Sequence, residues 1–162
     1  MKFSIYSTAS LFRRAPLLLA ASLLSFGQNN VLSVNPPPKV MAKAGSTVEA
    51  KLTVELRNGY HCNSDKPSDE YLIPLKLTWA PGVLEAVDIA YPKPNLEKYS
   101  FSDKPLSVYT GDFEIVTKFK VPATAAAGPA ILTAKLRYQA CTDRMCLPPK
   151  TVDVSLPVEV VH

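Results

Sequence analysis

Cys141 and Cys146 are separated by four residues in the run Tyr138-Gln139-Ala140-Cys141-Thr142-Asp143-Arg144-Met145-Cys146-Leu147-Pro148-Pro149. Four intervening residues suit a short hairpin loop, and residues directly opposed on antiparallel strands have Cα atoms about 4.5 to 5.5 Å apart. A disulfide tolerates roughly 4.4 to 6.8 Å, so the two thiols can cycle between dithiol and disulfide with little backbone movement. A redox carrier needs that property. As a staple the same bridge is weak, because in the chain-entropy description a six-residue loop gains about 2 kcal/mol against about 4.7 kcal/mol for a hundred-residue loop. A working bridge has instead to present one sulfur to an incoming thiolate, at a rate set by access and by thiol and leaving-group pKa values. Within the loop Arg144 favours a thiolate and Asp143 opposes it, while Pro148-Pro149 fixes the exit from the hairpin.

The third cysteine, Cys62, is left over once the other two pair. An unpaired cysteine on a strand behaves as a small hydrophobe, whereas an accessible one is an extra thiol open to intermolecular pairing. Its neighbour His61 reads as a packed or surface residue ahead of a base or ligand. A copper(I) site is an alternative, since Cys141, Met145 and Cys146 are soft ligands and His61-Cys62 would add two more if the fold gathered them. The doubled C-x2-C spacing of a structural zinc site is missing, and with two histidines, one of them the terminal His162, a nucleophile-base triad has little material. Three readings stay open on residues alone: a thiol-disulfide relay, a noncatalytic binding module whose hairpin disulfide is structural, and a copper(I)-binding protein.

The start of the chain reads as an export signal over residues 1–27. Lys2, Arg13 and Arg14 precede an apolar run from Ala15 to Phe26 of signal-peptide length, too short for the roughly 20 apolar residues of a membrane span. Ser25-Phe26-Gly27 offers small residues for cleavage, with Ala20-Ala21 the alternative, and no cysteine follows to carry a lipid anchor. Removing Lys2, Arg13 and Arg14 from the 18 basic residues leaves 15 against 14 acidic ones. No basic block remains of the kind that phosphate neutralisation requires, so no nucleic-acid partner is expected. The remainder, about 135 residues, suffices for one domain with a core, and export places it where disulfides persist.

Positioning the cysteines falls to strands. Val34-Asn35-Pro36-Pro37-Pro38 is a stiff lead-in, set at residues 28–38. From Thr47, Val48, Ala50, Leu52, Val54 and Leu56 point one way and Glu49, Lys51, Thr53, Glu55 and Arg57 the other, the period of a half-buried strand. The pattern returns at Leu75-Leu77-Trp79, from Phe113 to Val121, from Ala130 to Tyr138 and from Val152, with breakers at Asn58-Gly59, Pro81-Gly82, Pro92-Lys93-Pro94 and Gly128-Pro129. Of the 15 prolines all but one follow the leader, where they would break a helix. The fold class expected is all-β, an immunoglobulin-like antiparallel β-sandwich over residues 39–162. The polar stretch from Asn95 to Val108 fits least well, and its isolated aromatics Tyr99 and Phe101 mark a long loop of the functional kind.

Taken together, Tyr138-Gln139-Ala140-Cys141 through Cys146-Leu147-Pro148-Pro149, with Gly59-Tyr60-His61 and Tyr71-Leu72-Ile73-Pro74, resemble the N-terminal periplasmic domain of the thiol:disulfide interchange protein DsbD. The resemblance runs from about Val34 to Val160. It implies an immunoglobulin-like sandwich in which Cys141 and Cys146 are the redox pair, the second cysteine attacking a partner's disulfide. It also implies a cap loop within Leu96 to Tyr109 that shields the pair with Tyr99 or Phe101. The partners implied are a membrane electron donor and periplasmic thioredoxin-like proteins, with no bound cofactor, no metal and no small-molecule substrate. The location implied is the periplasm or another extracytoplasmic space, as a soluble protein after signal cleavage. Two departures stand out. The family's full-length protein continues into transmembrane and thioredoxin-like domains, whereas this chain stops at His162, and so is expected to be one station of a relay. Cys62 is the other, a thiol expected to be able to form a mixed disulfide or a dimer.

Overall fold

Each run of period two becomes a strand. Val48 to Leu56 lies in β3 (Thr47–Leu56), which follows β1 (Leu32–Asn35) and β2 (Val40–Lys43). Leu77 and Trp79 lie in β5 (Lys76–Trp79), Phe113 to Phe119 in β9 (Phe113–Lys120), and Ala130 to Tyr138 in β10 (Gly128–Tyr138). Val152 opens the inward alternation of β12 (Lys150–Val161), and β6 (Glu85–Ala90) completes the long strands. Four short strands had no alternating signature: β4 (His61–Asn63), β7 (Asn95–Glu97), β8 (Leu106–Thr110) and β11 (Ala140–Cys141). The computed structural model describes residues 30–162, so the export signal read over 1–27 lies outside the described residues. Among the described residues no helix is long and apolar enough to cross a membrane.

The strands form three four-stranded sheets, ordered β1-β3-β9-β6, β2-β12-β10-β5 and β11-β4-β8-β7. The first two pack face to face as an immunoglobulin-like β-sandwich. Leu52, Val54 and Ile115 from one sheet meet Leu77, Leu136 and Val154 from the other, and Cys62, Tyr109 and Ala140 of the third sheet extend the same cluster. A second cluster around Phe119, Leu132, Leu156 and Val158 fills the far end. Trp79 bridges the two clusters. Its ring meets Phe119 edge-on at 4.9 Å, and its Nε1 donates to Thr117 Oγ1 at 3.0 Å.

The antiparallel sandwich expected from the sequence is present, and two details add to that expectation. The lead-in read over residues 28–38 contains a strand, β1, which pairs with β3 from Leu32↔Leu56 to Asn35↔Thr53, with Leu32 wholly buried. The prolines at 36 to 38 end that edge strand, where a missing N–H costs no ladder bond. Within the antiparallel arrangement one pair differs: β2 runs parallel to β12 from Val158↔Val40 to Val161↔Lys43. The chain reaches β2 directly from β1, which lies in the opposite sheet, so the start of the domain clasps both sheets.

The third sheet is grown from the ends of the other two. β3 passes into β4 through Gly59, and β8 passes into β9 through Gly111; both glycines have positive φ, 83° and 64°, which a side chain would disfavour. β10 passes into β11 through Gln139. The cysteine hairpin is therefore a continuation of a long central strand rather than a free loop.

Because Thr117 is fully buried, Thr117→Val removes the hydroxyl that receives the Trp79 N–H. Urea unfolding is expected to show a loss of about 1 to 3 kcal/mol, with an unchanged slope; an unaltered midpoint would mean that the indole finds another acceptor.

Candidate functional site

The cysteine hairpin closes by two backbone bonds on either side of the pair. Leu147 N donates to Ala140 O at 2.8 Å, and Thr142 N donates to Met145 O at 2.8 Å. Cys141 and Cys146 face one another between these bonds as an isolated antiparallel bridge and are joined as a disulfide with Cα atoms 3.9 Å apart. This is the non-hydrogen-bonded kind of pair, where opposed side chains come closest, and it lies one rung from the Asp143-Arg144 turn. The 3.9 Å separation is shorter than the roughly 4.5 to 5.5 Å of a regular ladder and than the range expected above for a disulfide. Thr142 Oγ1 accepts from Arg144 N at 3.3 Å and from Met145 N at 3.2 Å, so the threonine pins the turn. Asp143 and Arg144 approach one another at 3.9 Å and are largely exposed; water screens the opposing influences of their charges on the sulfurs.

Strand register decides what else reaches the disulfide. In β11 and β4, Cys141 opposes His61 and Ala140 opposes Cys62; in β4 and β8, His61 opposes Thr110 and Cys62 opposes Tyr109. Opposed residues share a face and successive residues alternate. Thr110, His61, Cys141 and Cys146 thus form one cross-strand row on one face of the third sheet, and Tyr109, Cys62 and Ala140 form another on the core face. Cys62 is 0 % exposed and free. Burial pushes its thiol up to about 12, opposed in part by a backbone hydrogen bond at Tyr109. The mixed disulfide or dimer expected through Cys62 is out of reach while β4 is seated. The copper ligand set is split for the same reason, since Cys62 points away from His61 and Cys141.

The connection from β7 to β8, residues 98–105, folds back over the exposed side of the row. Tyr99 stacks on His61 with ring centroids 4.0 Å apart and planes at 18°. Phe101 stacks on Tyr99 at 5.5 Å and lies 6.4 Å from His61. The Tyr99 hydroxyl donates to Glu97 Oε2 at 2.6 Å, and burial followed by that carboxylate holds the phenol well above its usual pKa. Ser100 Oγ donates to Asp143 O at 3.3 Å, linking this loop to the hairpin turn. At its base, Ser68 Oγ donates to Pro105 O at 3.2 Å and accepts from Ser107 N at 2.9 Å. Both aromatics singled out from the sequence reach the site, but with different neighbours: Tyr99 sits on His61, and Phe101 shares a cavity with Cys146.

That cavity, about 290 Å³, is lined by Tyr71, Leu72, Phe101, Leu106, Gln139 and Cys146. Tyr71 is 74 % exposed and Phe101 43 %, so its rim is aromatic and open. A second cavity of about 300 Å³ lies at the other end of the row, among Gly59, Tyr60, His61, Glu97, Tyr99 and Asp143. The disulfide is therefore asymmetric: Cys141 is 1 % exposed, and Cys146 faces the first cavity. A larger apolar cleft of about 370 Å³ beside Trp79, Ala134 and Val154 contains none of the cysteines. His61, read from the sequence as an ordinary packed or surface residue, is buried at the centre of this arrangement, with the half-buried Glu97 and the exposed Ser100 at its margin. Only the pairing of β4 with β11 reveals that; the proximity of His61 to Gly59-Tyr60 was the one available signal. Burial lowers the His61 pKa, and Glu97 opposes the shift.

A thiol assay follows from the burial of Cys62. The oxidised, folded protein is expected to show no reaction with Ellman's reagent up to about pH 9, and one thiol per chain after denaturation in urea. Reaction at the native-state rate of a free cysteine would place Cys62 at the surface.

The sequence model described as the N-terminal part of thiol:disulfide interchange protein DsbD matches residues 28–157. No curated protein matches the chain. Among solved structures, the N-terminal periplasmic domain of ScsB from Proteus mirabilis superposes with a TM-score of 0.56 at 16 % identity, over 84 % of this chain and 49 % of that one. The chain thus spans about half of that domain, and at this identity the likeness speaks for the fold. A cohesin module from a Clostridium perfringens family 33 glycoside hydrolase gives a TM-score of 0.43 at 10 % identity, over 81 % of this chain and 98 % of that one, and carries no argument. On the extent of the sequence match, this chain belongs to the family of the N-terminal domain of the thiol:disulfide interchange protein DsbD.

Proposed function

We propose that the chain is an extracytoplasmic electron relay, in which Cys141 and Cys146 pass reducing equivalents from a membrane partner to thioredoxin-like proteins of the periplasm. The observation that carries this reading is the asymmetry of the disulfide. Cys146 faces an open cavity rimmed by Tyr71 and Phe101, while Cys141 is sealed. A bridge with one approachable sulfur suits exchange by successive mixed disulfides, since attack requires access to one sulfur and departure of the other. The leader over 1–27 and the family's periplasmic setting support the location.

In the reducing direction the Cys146 thiolate attacks a partner's disulfide, forming the Cys146–partner bond and releasing one partner thiolate. Cys141 then attacks Cys146 Sγ, restoring the intramolecular bridge and releasing the second partner thiolate, so the partner gains two electrons and the relay loses two. Reduction by the membrane donor is the reverse sequence. No bound cofactor enters either half. The loop bearing Tyr99 and Phe101 acts as the cap, and a partner has to displace or straddle it to reach Cys146.

Equilibration of the folded protein against dithiothreitol or glutathione buffers tests the reading. A relay becomes reduced within the range of exchanging proteins, whereas a bridge still oxidised below about −300 mV, where structural disulfides sit, would sink it and leave the noncatalytic binding module in its place. Cys146→Ser is expected to abolish transfer to a thioredoxin-like substrate. Cys141→Ser is expected to stop at a trapped mixed disulfide. Removing the cap rings by Tyr99→Ala with Phe101→Ala is expected to raise the rate constant for reduction by dithiothreitol; a rate equal to that of the parent protein would mean that the loop does not shield the pair.

A further inference from the structure

His61 stands directly across from Cys141 in the ladder, on the same face as the disulfide and on the side away from Cys146. It is 3 % exposed, lies under the Tyr99 ring and lines the polar cavity at that end of the row. Its Nε2 is buried and has no hydrogen-bond partner among the described residues. Leaving a buried ring nitrogen unsatisfied is destabilising, and a phenylalanine would stack on Tyr99 without that penalty. A stacking role alone does not account for an imidazole at this position.

We propose that His61 is the proton acceptor and donor for the buried sulfur, Cys141, in thiol-disulfide exchange. The inference rests on the relay reading and assigns the step that the reading leaves without a base. When Cys141 attacks Cys146 Sγ in the mixed disulfide, its S–H bond must break inside the protein. The imidazole takes that proton, the Cys141 sulfur supplies the electron pair of the new S–S bond, and the partner's sulfur leaves with the pair of the bond that breaks. In the reverse direction the imidazolium returns the proton to the departing Cys141 thiolate.

The surroundings of His61 suit both states. From β8 it meets Thr110; from β7 the Glu97 carboxylate, from the cap the Tyr99 phenol, and from the hairpin turn Asp143 all border its cavity. Burial favours the neutral ring, which is the form that accepts a proton, and the Glu97 carboxylate favours the imidazolium. The cavity also includes the exposed Asn58 and Gly111 and neither Tyr71 nor Phe101, so a proton leaving through it does not cross the partner's docking side.

The test separates the two chemical steps, using the reduced protein and oxidised glutathione as the probe, with acid quenching and mass measurement at intervals. In the parent protein the glutathione adduct on Cys146 forms and resolves quickly. His61→Phe, which keeps the stack on Tyr99, is expected to form the adduct at the parent rate and to prolong its lifetime by roughly 10²-fold near pH 6.5, the low end of what general acid-base catalysis contributes. The difference is expected to shrink as pH rises towards 9.5, where the Cys141 thiol loses its proton to hydroxide. His61→Gln, polar but unable to take the proton, is expected to behave like His61→Phe, and it keeps the test decisive if the phenylalanine variant does not fold. Adduct formation at the parent rate with an unchanged lifetime, or with a slowing that is equal at every pH, overturns the role of His61 and leaves the relay reading intact. A parent protein that never forms the adduct overturns the relay reading and this inference together.

Discussion

Two side chains on neighbouring antiparallel strands meet only where the strands oppose them on the same face, and the whole site rests on that parity. Along β4 the pleat sends His61 to one side and Cys62 to the other. A slip of one residue would exchange them, bringing a third thiol beside the disulfide and burying an imidazole among Leu and Val. Two features hold the register. Cys62 is embedded in the core cluster with Tyr109 and Ala140, and the turns at Gly59 and Gly111 set the residues at which β4 begins and β8 ends. The sandwich matters to the chemistry chiefly because it supplies this rigid edge, carrying the hairpin on the extension of a strand eleven residues long.

The cap is built on opposite terms. It is attached by aromatic stacking, by one hydrogen bond from Ser100 to the hairpin turn, and by serine contacts at its base, most of them at exposed positions. Segments with few buried apolar contacts and solvent-exposed hydrogen bonds open at low free energy. In the proposed relay a rigid sheet below and an easily lifted loop above would divide the work: the sulfurs and the imidazole would keep their spacing while access to them varied.

Much of this was legible in the residues and some was not, for identifiable reasons. The C-x4-C spacing announced a hairpin disulfide, and the alternation from Val48 to Leu56 and from Ala130 to Tyr138 announced strands with one wet face. β4 gave no such signal because it is covered on both faces, by core on one and cap on the other, so that His61, Cys62 and Asn63 are all buried; an alternating pattern requires one face in water. β11 is two residues long, too short to show any period. β1 was hidden by the prolines that follow it. The position of His61 beside Cys141 is a pairing between distant parts of the chain, and no local pattern encodes it. The two cap aromatics were visible as oddities in a polar stretch, but their different partners were not.

The burial of Cys62 has a consequence for the durability of the protein. Three cysteines admit three intramolecular pairings in an unfolded chain, and each mixed disulfide formed during exchange is an electrophile that any nearby thiol can attack. Here the nearest competitor is one strand away, but the sheet itself stands between it and the exchanging sulfurs. In the proposed relay the backbone would thus act as an insulator, confining the traffic of electrons to a two-sulfur circuit. Loss of function over repeated cycles should therefore begin with a mechanical event, the unseating of β4, and only afterwards become a chemical one.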